Sequence, residues 1–315
     1  MINTENLCPR CFTALGAKGL CPVCGKKTNA PIFYDPSHLA PKSKIKNRYV
    51  MSSAIGEGGF GITYLAFDTM NGIKVAIKEY FPVSVVARNE KGFVVPLKPE
   101  LRQRFMLGKK RFMDEAKNMA AIKNLKGVPA VLDFFSENDT AYIVMEYLSG
   151  STLKDLIKKK RRLTFAEAFD ILRPVFDSLA LMHDAGLVHR DVSPDNIILT
   201  ENGAKLIDFG ATVKANKEKQ STELKRHYAP PEQYDKYFAV DRRADVYAAG
   251  VTMYHCVTGM LPPESVRRLP NDKPPFKGKL TEAQKCAVLK AMETDIAKRY
   301  ADMRQMLQTL DSALV

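Results

Sequence analysis

The stretch that decides the fold is HRDVSPDN, which runs from His189 to Asn196. Beyond Ser151 the hydrophobic periodicity is mainly helical, but short runs between 187 and 210 break that pattern. The quoted stretch is one of these breaks, and a second, LIDFG, follows it and carries Asp208. Two such interruptions of a helical pattern indicate loops, and other motifs of the chain are needed to assign a function to them.

Composition bounds the class of protein. The chain has 315 residues, of which 45% are hydrophobic and 26% charged, enough apolar residues for more than one core. The net charge of +13 suits a partner that carries phosphates or acidic side chains, without choosing among nucleotide, nucleic acid, acidic protein and anionic membrane. No apolar run approaches the roughly 20 residues that cross a bilayer, and the start MINTENLCPR lacks the order of a signal peptide. We therefore expect a cytoplasmic protein with no membrane span in this chain.

Four of the six cysteines fall within the first 24 residues, in two Cys-x2-Cys pairs formed by Cys8, Cys11, Cys21 and Cys24. Two residues between thiolates allow one tight turn to aim both sulfurs at one ion, and four thiolates suit tetrahedral Zn²⁺. A disulfide pair is disfavoured by a reducing cytosol, and a redox Cys-x2-Cys site would not call for two copies. The spacing predicts a four-cysteine zinc knuckle.

The pattern along the chain divides it into four segments. Residues 1–28 form the predicted knuckle, which is too short to fold on apolar burial alone and so depends on its ion. Residues 29–47 contain three prolines and little periodicity, which predicts an extended linker that can hold the knuckle away from the nucleotide site. Residues 48–148 show β-rich runs and one long helical stretch from Leu101 to Leu125, and residues 149–315 are mainly helical. The expected fold class is α+β, with a small β-rich lobe joined to a larger helical lobe.

A glycine-rich run, GEGGFG, places Gly56, Gly58 and Gly61 in GxGxxG spacing. The spacing alone is weak evidence, because dinucleotide-binding folds also use it. Here the glycines lie between two strand-like runs, whereas the dinucleotide version opens a helix. Without side chains the backbone can close over phosphates and turn its N–H groups toward them. In this context the run indicates a phosphate-binding hairpin.

Further motifs follow in a fixed order. VAIK ends in Lys78, and YAPPEQY comes after HRDVSPDN and LIDFG. In this order the motifs resemble those of the protein kinase family, over about residues 48–310. The run KEYFP at 78–82 resembles a bacterial serine/threonine kinase subgroup. The resemblance implies a bilobal kinase that uses ATP and Mg²⁺ to phosphorylate serine or threonine hydroxyls of protein substrates.

The resemblance also implies roles for individual residues. Asp191 would accept the substrate hydroxyl proton, and Asn196 and Asp208 would bind Mg²⁺. Lys78 would hold the phosphates and be held by Glu115, with the neighbouring acid at 114 as the fallback. The residues expected to bind the nucleotide are Ile55, Gly56, Gly58, Gly61, Thr63, Ala76, Lys78, Met145, Glu146, Leu148 and Ile198.

One position departs from the family. Ser193 stands where serine/threonine kinases carry a lysine, and counting back three residues from Tyr228 gives Lys225 where they carry a threonine. The KEYFP subgroup shows the same combination, so we expect Lys225 to supply the missing charge. The implied catalytic set is Asp191, Lys78, Glu115, Lys225, Asn196 and Asp208.

Other implied features concern the helical lobe. Glu232 would form a buried ion pair with Arg299, and Asp245 would anchor the backbone of the catalytic loop. Thr212, Ser221 and Thr222 are candidate phosphorylation sites in the activation segment.

Two rival functions belong to other classes. A pseudokinase scaffold would bind nucleotide without turnover and would use the knuckle for docking a partner. Such proteins usually lose Asp191, Asn196 or Asp208, and all three residues are present here. A nucleic-acid-binding zinc protein would use the knuckle and the basic charge, but the knuckle has few basic residues interleaved with aromatic ones. We therefore expect protein rather than nucleic-acid partners.

Overall fold

The structure is a computed structural model that describes residues 4–16, 20–27, 31–208, 213–214, 224–235, 237–268, 274–276 and 279–314. Two compact units divide the chain. Unit 1 comprises residues 1–121 and 130–147, and unit 2 comprises residues 122–129 and 148–315. Residues 122–129 thus lie with the second unit, although they precede residue 148 in the chain.

Unit 1 is built on an antiparallel sheet with one long helix. In chain order its elements are β1 (Lys44–Ile45), β2 (Tyr49–Gly58), β3 (Gly61–Asp68), β4 (Ile73–Tyr80), β5 (Val86–Arg88), β6 (Val94–Pro96), α1 (Arg102–Ala121), β7 (Val131–Glu137) and β8 (Thr140–Glu146). The main sheet has the spatial order β1-β2-β3-β4-β8-β7, and β5 pairs only with β6. The Asn71-Gly72 turn joins β3 to β4, with Gly72 at a φ of 71°. The predicted β-rich part with one main helix is thus confirmed.

The tyrosine of KEYFP holds helix α1 against this sheet. The ring of Tyr80 lies 5.6 Å from that of Phe105 and 5.5 Å from that of Phe112, measured between centroids. A Cβ atom added at Gly108 would lie 1.8 Å from the Tyr80 hydroxyl. Helix α1 can approach β4 this closely only because residue 108 has no side chain.

The predicted linker is packed onto unit 1. Leu39 is 7% exposed, and its N–H donates to the hydroxyl of Tyr64 at 3.1 Å. The carbonyl of Ser37 accepts from Nε of Arg88 at 2.7 Å. Both Tyr64 and Arg88 also donate to the fully buried carboxylate of Glu79, Tyr64 at 2.9 Å and Arg88 at 2.6 Å. The backbone at Ser37 and Leu39 thus serves as hydrogen-bond partner for a buried polar network.

The cysteine knuckle also belongs to unit 1. Phe12, between its two cysteine pairs, is 5% exposed and shares a small apolar cluster with strands β2 and β3. This contact places the first cysteine turn against the sheet of unit 1.

Unit 2 is mainly helical, as expected. Its short strands are β9 (Ser151–Thr152), β10 (Leu187–Val188), β11 (Ile197–Thr200), β12 (Gly203–Leu206) and β13 (Val213–Lys214). Its helices are α2 (Leu153–Lys160), α3 (Phe165–Asp184), α4 (Pro231–Tyr234), α5 (Arg243–Thr258), α6 (Glu282–Ala291) and α7 (Met303–Ser312). Strand β11 pairs with β9 and β12, and β10 pairs with β13. Helices α2, α3 and α6 each begin with a threonine capping box.

Helix α5 is the most buried element of unit 2. Almost all of its residues are buried, and it ends at Gly259, whose φ of 69° is the left-handed conformation of a helix C-terminus. A helix buried on all sides forms the interior of its unit. Asp245 lies in its first turn, where it can hold the loop that begins at His189.

The end of helix α1 differs from its prediction. Helical periodicity suggested a helix as far as Leu125, but α1 ends at Ala121. A Cβ atom at Gly127 would lie 2.0 Å from the carbonyl oxygen of Pro174 on α3, so residues 122–129 pack in unit 2.

Within the described ranges, no helix is long and apolar enough to cross a bilayer.

Candidate active site and zinc site

The glycine-rich run forms the turn between β2 and β3. Gly56 pairs with Thr63, and Gly58 pairs with Gly61. A Cβ atom at Gly56 or Gly58 would meet no atom within 4 Å, whereas one at Gly61 would lie 2.2 Å from the carbonyl oxygen of Glu79 on β4. The first two glycines therefore leave open space on the hairpin, and the third permits close approach of two strands.

Strand register places four of the residues predicted to bind nucleotide on one face of the unit 1 sheet. Thr63 lies opposite Lys78, and Ala76, two residues before Lys78, lies opposite Met145. Residues two apart in a strand, and residues directly paired across strands, point to the same face. These four side chains therefore share a face, and Ile55 lies 51% exposed on the neighbouring strand β2.

Helix α1 distinguishes between the two candidate acids. Glu115 is half-buried and lies in the stripe of Phe112, Ala116 and Met119, all of which are buried. Asp114 is exposed. Because residues three and four apart share a helix face, Glu115 lies on the packed face and Asp114 does not.

The loop at 189–196 of unit 2, which is the predicted catalytic loop, is ordered by contacts between its own residues. Nδ2 of Asn196 donates to Oδ2 of Asp191 at 2.7 Å and to the backbone carbonyl of Asp191 at 3.0 Å. The other carboxylate oxygen of Asp191, Oδ1, is buried and has no hydrogen bond among the residues the structure describes. Asn196 thus fixes the orientation of the Asp191 carboxylate.

The two proposed magnesium ligands meet at the open end of the β11–β12 hairpin. Ile197 pairs with Leu206, and the N–H of Ile207 donates to the carbonyl of Asn196 at 2.7 Å. Asp208 follows directly, at a φ of 68°. With Nδ2 of Asn196 engaged, its amide oxygen and the Asp208 carboxylate are the oxygen ligands that suit Mg²⁺.

Lys225 lies against the loop. Its Nζ atom is 2.7 Å from the hydroxyl of Ser193, 3.7 Å from Oδ1 of Asp191 and 3.8 Å from Oδ2 of Asp195. Ser193 is fully buried, whereas the Lys225 side chain is 34% exposed. The same Asp195 also accepts from Lys154 of α2 at 2.5 Å. The ammonium of Lys225 is therefore fixed by a buried hydroxyl within reach of the Asp191 carboxylate.

Asp245 holds the start of this loop from helix α5. Its carboxylate accepts the backbone N–H groups of His189 at 2.8 Å and Arg190 at 2.7 Å, and it lies 2.9 Å from Nε2 of His183. Burial alone would raise the pKa of Asp245, but the His183 hydrogen bond and these N–H donors lower it below the ordinary value. Arg190 has a φ of 70°, so the carboxylate secures a strained backbone.

The end of the activation segment is held by a buried ion pair. Arg299 donates from Nη1 to Oε1 of Glu232 at 2.6 Å and from Nη2 to Oε2 at 3.1 Å. The side chains of Arg299 and Glu232 are 0% and 8% exposed. The predicted buried pair is present in bidentate form.

The four cysteines of the knuckle come together. Their sulfur atoms all lie within 4.8 Å of one another, with Cys8 3.6 Å from Cys24 and Cys11 3.4 Å from Cys21. Zn–S bonds of about 2.3 Å in a tetrahedron give sulfur separations of about 3.8 Å, so the donor set fits Zn²⁺. Burial raises the pKa of the Cys8 thiol to about 11, while the backbone N–H of Cys24 lowers the pKa of Cys21 to about 6.

Comparison with known proteins decides the family. The protein kinase domain model matches residues 49–309. A probable serine/threonine-protein kinase of Clostridium perfringens is 31% identical over 84% of this chain and 38% of its own length. The probable kinase PknB of Corynebacterium glutamicum is 33% identical over 74% of this chain and 33% of its own length. A solved structure described as PpkA-294 in its apo form is 30% identical, covers 87% of this chain and 99% of its own, and superposes with a TM-score of 0.71.

This chain belongs to the protein kinase domain family. The kinase domain spans between 31% and 47% of the length of the curated relatives it matches. In the kinase fold, unit 1 corresponds to the β-sheet lobe and unit 2 to the helical lobe.

The remaining predicted residues lie at the edges of elements in the kinase domain. Glu146 ends β8, Leu148 begins the second stretch of unit 2, and Ile198 lies on β11. The candidate phosphorylation sites Thr212, Ser221 and Thr222 lie outside the described residues. Sequence reasoning missed Asp195, although it lies within the quoted loop, because its contacts with Lys154 and Lys225 come from elements 30 or more residues away.

Proposed function

We propose that this kinase domain transfers the γ-phosphoryl of ATP to serine or threonine hydroxyls of protein substrates. The carrying observation is the contact of Asn196 with one oxygen of Asp191, which leaves Oδ1 without a hydrogen bond among the described residues. A carboxylate oriented in this way suits the acceptance of a hydroxyl proton as the oxygen attacks phosphorus.

The unit 1 residues would bind the nucleotide. Lys78 would contact the α- and β-phosphates, with Glu115 as its ionic partner. The open hairpin around Gly56 and Gly58 would cover the phosphates with backbone N–H groups. Ala76 and Met145 would line the adenine side, with Ile55 and Thr63 as further nucleotide contacts and the backbone of Glu146 as an adenine partner. The two other expected nucleotide contacts, Leu148 and Ile198, belong to unit 2.

Mg²⁺ would be held by the amide oxygen of Asn196 and the carboxylate of Asp208. When bound, the ion neutralises charge on the phosphate oxygens during transfer. Asn196 would then have two tasks, because its Nδ2 orients Asp191 and its amide oxygen would be left to bind the cation.

Lys225 would supply the charge that the family usually takes from the catalytic loop. Its hydrogen bond to Ser193 is the contact expected if the ammonium and the hydroxyl have exchanged positions. The requirement at the transferring phosphoryl is electrostatic, so the ammonium can come from either segment if it reaches the same point.

Zn²⁺ would be bound by Cys8, Cys11, Cys21 and Cys24 in the knuckle. The knuckle lies outside every nucleotide motif, so the ion would be structural. Val23, 70% exposed, and Leu20, 44% exposed, would be available to a docking partner at the second cysteine turn.

Transfer of radiolabel from ATP tests the proposal directly. The acceptors are matched peptides that differ only in serine, threonine or tyrosine, and the enzyme is compared with Asp191→Asn and with Asp170→Asn, an exposed aspartate in α3. We expect transfer to serine and threonine, its loss in Asp191→Asn, and no change in Asp170→Asn. Nucleotide binding without transfer in the unaltered protein would indicate a pseudokinase scaffold instead.

A further inference from the structure

The two cysteine turns of the knuckle share a backbone shape but differ in one residue. The residue after each second cysteine donates its N–H to the first cysteine's carbonyl, Phe12 to Cys8 at 2.8 Å and Gly25 to Cys21 at 3.0 Å. Both residues have positive φ, 51° for Phe12 and 67° for Gly25. Glycine adopts this conformation readily, whereas a bulky aromatic residue does so against steric repulsion. A phenylalanine in this conformation is retained only if contacts elsewhere compensate for the strain.

Phe12 makes such contacts with the sheet. Its ring centroid lies 5.5 Å from that of Phe67 on β3. It is 5% exposed and forms a buried cluster with Val50, Leu65 and Phe67. Tyr147, just after β8, packs against the same cluster.

A second contact fixes the same cysteine turn. The hydroxyl of Ser52 on β2 donates to the carbonyl of Pro9 at 2.8 Å and lies 3.0 Å from that of Arg10. Ser52 is fully buried, so its hydroxyl depends on the carbonyls of the turn between Cys8 and Cys11 for its hydrogen bond. The metal-binding turn and strand β2 are thus joined by both apolar and polar contacts.

The cluster lies on the face of the sheet that carries the proposed nucleotide residues. Leu65 is two residues from Thr63 on β3 and lies opposite Ala76 on β4. It therefore points to the same face as Thr63, Ala76 and Lys78. Tyr147 directly follows Glu146, whose backbone is a proposed adenine partner.

We propose that the zinc knuckle braces the nucleotide-binding face of the sheet, and that Phe12 couples zinc binding to nucleotide binding. This inference rests on the proposed function, in that zinc and nucleotide must each bind. Zinc organises the first cysteine turn, and the turn holds Phe12 in the cluster that contains Leu65 and Phe67 and packs against Tyr147. This cluster in turn positions the adenine side of the sheet. Phe12 is therefore a positioning residue. Coupling between two sites is reciprocal, so each ligand must raise the affinity for the other by the same factor.

Calorimetry of MgADP binding and zinc competition with a chromophoric chelator measure the two affinities separately. Removing zinc should weaken MgADP binding about fivefold, the low end of ordinary coupling between sites, and MgADP should raise zinc affinity by the same factor. Metal analysis of the untreated protein and MgADP binding by the zinc-loaded protein are measured first. Absence of zinc in the untreated protein would overturn the zinc assignment, and absence of MgADP binding would overturn the proposed kinase function. Either result would also overturn this inference.

The decisive variant is Phe12→Gly. Glycine suits the positive φ, so the relief of strain offsets the loss of the Phe12 contacts and this variant should still bind one zinc ion through the four cysteines. When loaded with zinc, the variant should nevertheless bind MgADP about fivefold more weakly than the unaltered protein. Removing zinc from the variant should then change its MgADP affinity by less than about twofold. The control Val23→Gly, at an exposed position of the other cysteine turn, should keep both the affinity and the coupling. The inference is overturned if Phe12→Gly binds MgADP as tightly as the unaltered protein, or if zinc removal leaves MgADP affinity unchanged.

Discussion

The ammonium of Lys225 and the hydroxyl of Ser193 form a 2.7 Å hydrogen bond between two segments 32 residues apart in the chain. The hydroxyl is buried, and the lysine lies 3.7 Å from the Asp191 carboxylate. The contact supplies a positive charge beside the catalytic loop without a lysine in that loop.

Replacement of this lysine should reduce turnover. We expect Lys225→Ala to lower kcat by about 10- to 1000-fold, the scale of losing one preorganised charge, with a smaller change in the KM for ATP. Lys159→Ala, an exposed lysine at the end of α2, is the control and should leave kcat unchanged. The double variant Ser193→Lys with Lys225→Thr should recover part of the loss. Steady-state kinetics with a peptide acceptor measures these values, and an unchanged kcat in Lys225→Ala would remove the explanation.

The glycines of the hairpin should differ in what they contribute to stability. In Gly61→Ala, the new Cβ would lie 2.2 Å from a backbone oxygen of β4, so the strands must separate, at a cost of about 1–3 kcal/mol. In Gly58→Ala the Cβ meets open space, so the stability of the nucleotide-free protein should change by no more than about 0.5 kcal/mol. Thermal melting without nucleotide compares them. Equal melting temperatures for the two variants would contradict the assignment of Gly61 to strand packing.

The buried pair of Glu232 and Arg299 should contribute far more than a surface pair. Glu232→Ala leaves the fully buried Arg299 guanidinium without its carboxylate and should lower the free energy of unfolding by about 3–5 kcal/mol. Arg304→Ala breaks a pair with Asp184 in which both side chains are about half exposed, and should cost less than about 1 kcal/mol. Urea unfolding followed by circular dichroism measures both, and similar midpoints would show that burial does not distinguish the pairs.

Acid should weaken the anchoring of the catalytic loop. The pKa of Asp245 is lower in the folded protein than in the unfolded chain, because the His183 hydrogen bond and backbone N–H donors outweigh its burial. Its contribution is therefore complete above its unfolded pKa of about 3.9 and is lost as the pH falls through the lower folded value. Asp245→Asn should melt at a lower temperature at neutral pH and lose less further stability as the pH falls from about 5 to about 3. Asp170→Asn should keep the unaltered pH profile, and identical profiles for both variants would contradict this role.

Zinc should bind in a pH-dependent manner. Thiols must lose their protons to bind the metal, and burial raises the pKa of Cys8 to about 11. Apparent zinc affinity should therefore rise as the pH is raised from about 6 to about 8. The bound zinc should be lost in Cys24→Ser but retained in Cys286→Ser, an exposed cysteine of α6. Metal analysis after dialysis gives the number of zinc ions bound per chain, and zinc retention in both variants would contradict the four-cysteine site.

The sequence alone determined the local structure of short continuous segments of this protein. The kinase motifs, the glycine hairpin and the paired cysteines each depend on spacing within a few residues, which backbone geometry turns directly into a local shape. The order of these segments was sufficient for the family. Helix periodicity also predicted the main helix, although its end at Ala121 depends on packing of the following residues against α3.

Tertiary structure alone decided which distant groups meet. Counting residues suggested Lys225 as the substitute for a loop lysine, but only the fold brings its ammonium to Ser193. Rotation of α1 turns Glu115 toward the packed face and leaves Asp114 exposed. The packing of Leu39 and Phe12 onto the sheet could not be read from the sequence, because prolines and short loops indicate only the flexibility of their own segment. The buried Glu79 network and the apolar cluster around Phe67 provide partners from other strands, and those contacts offset the entropy of ordering the segment.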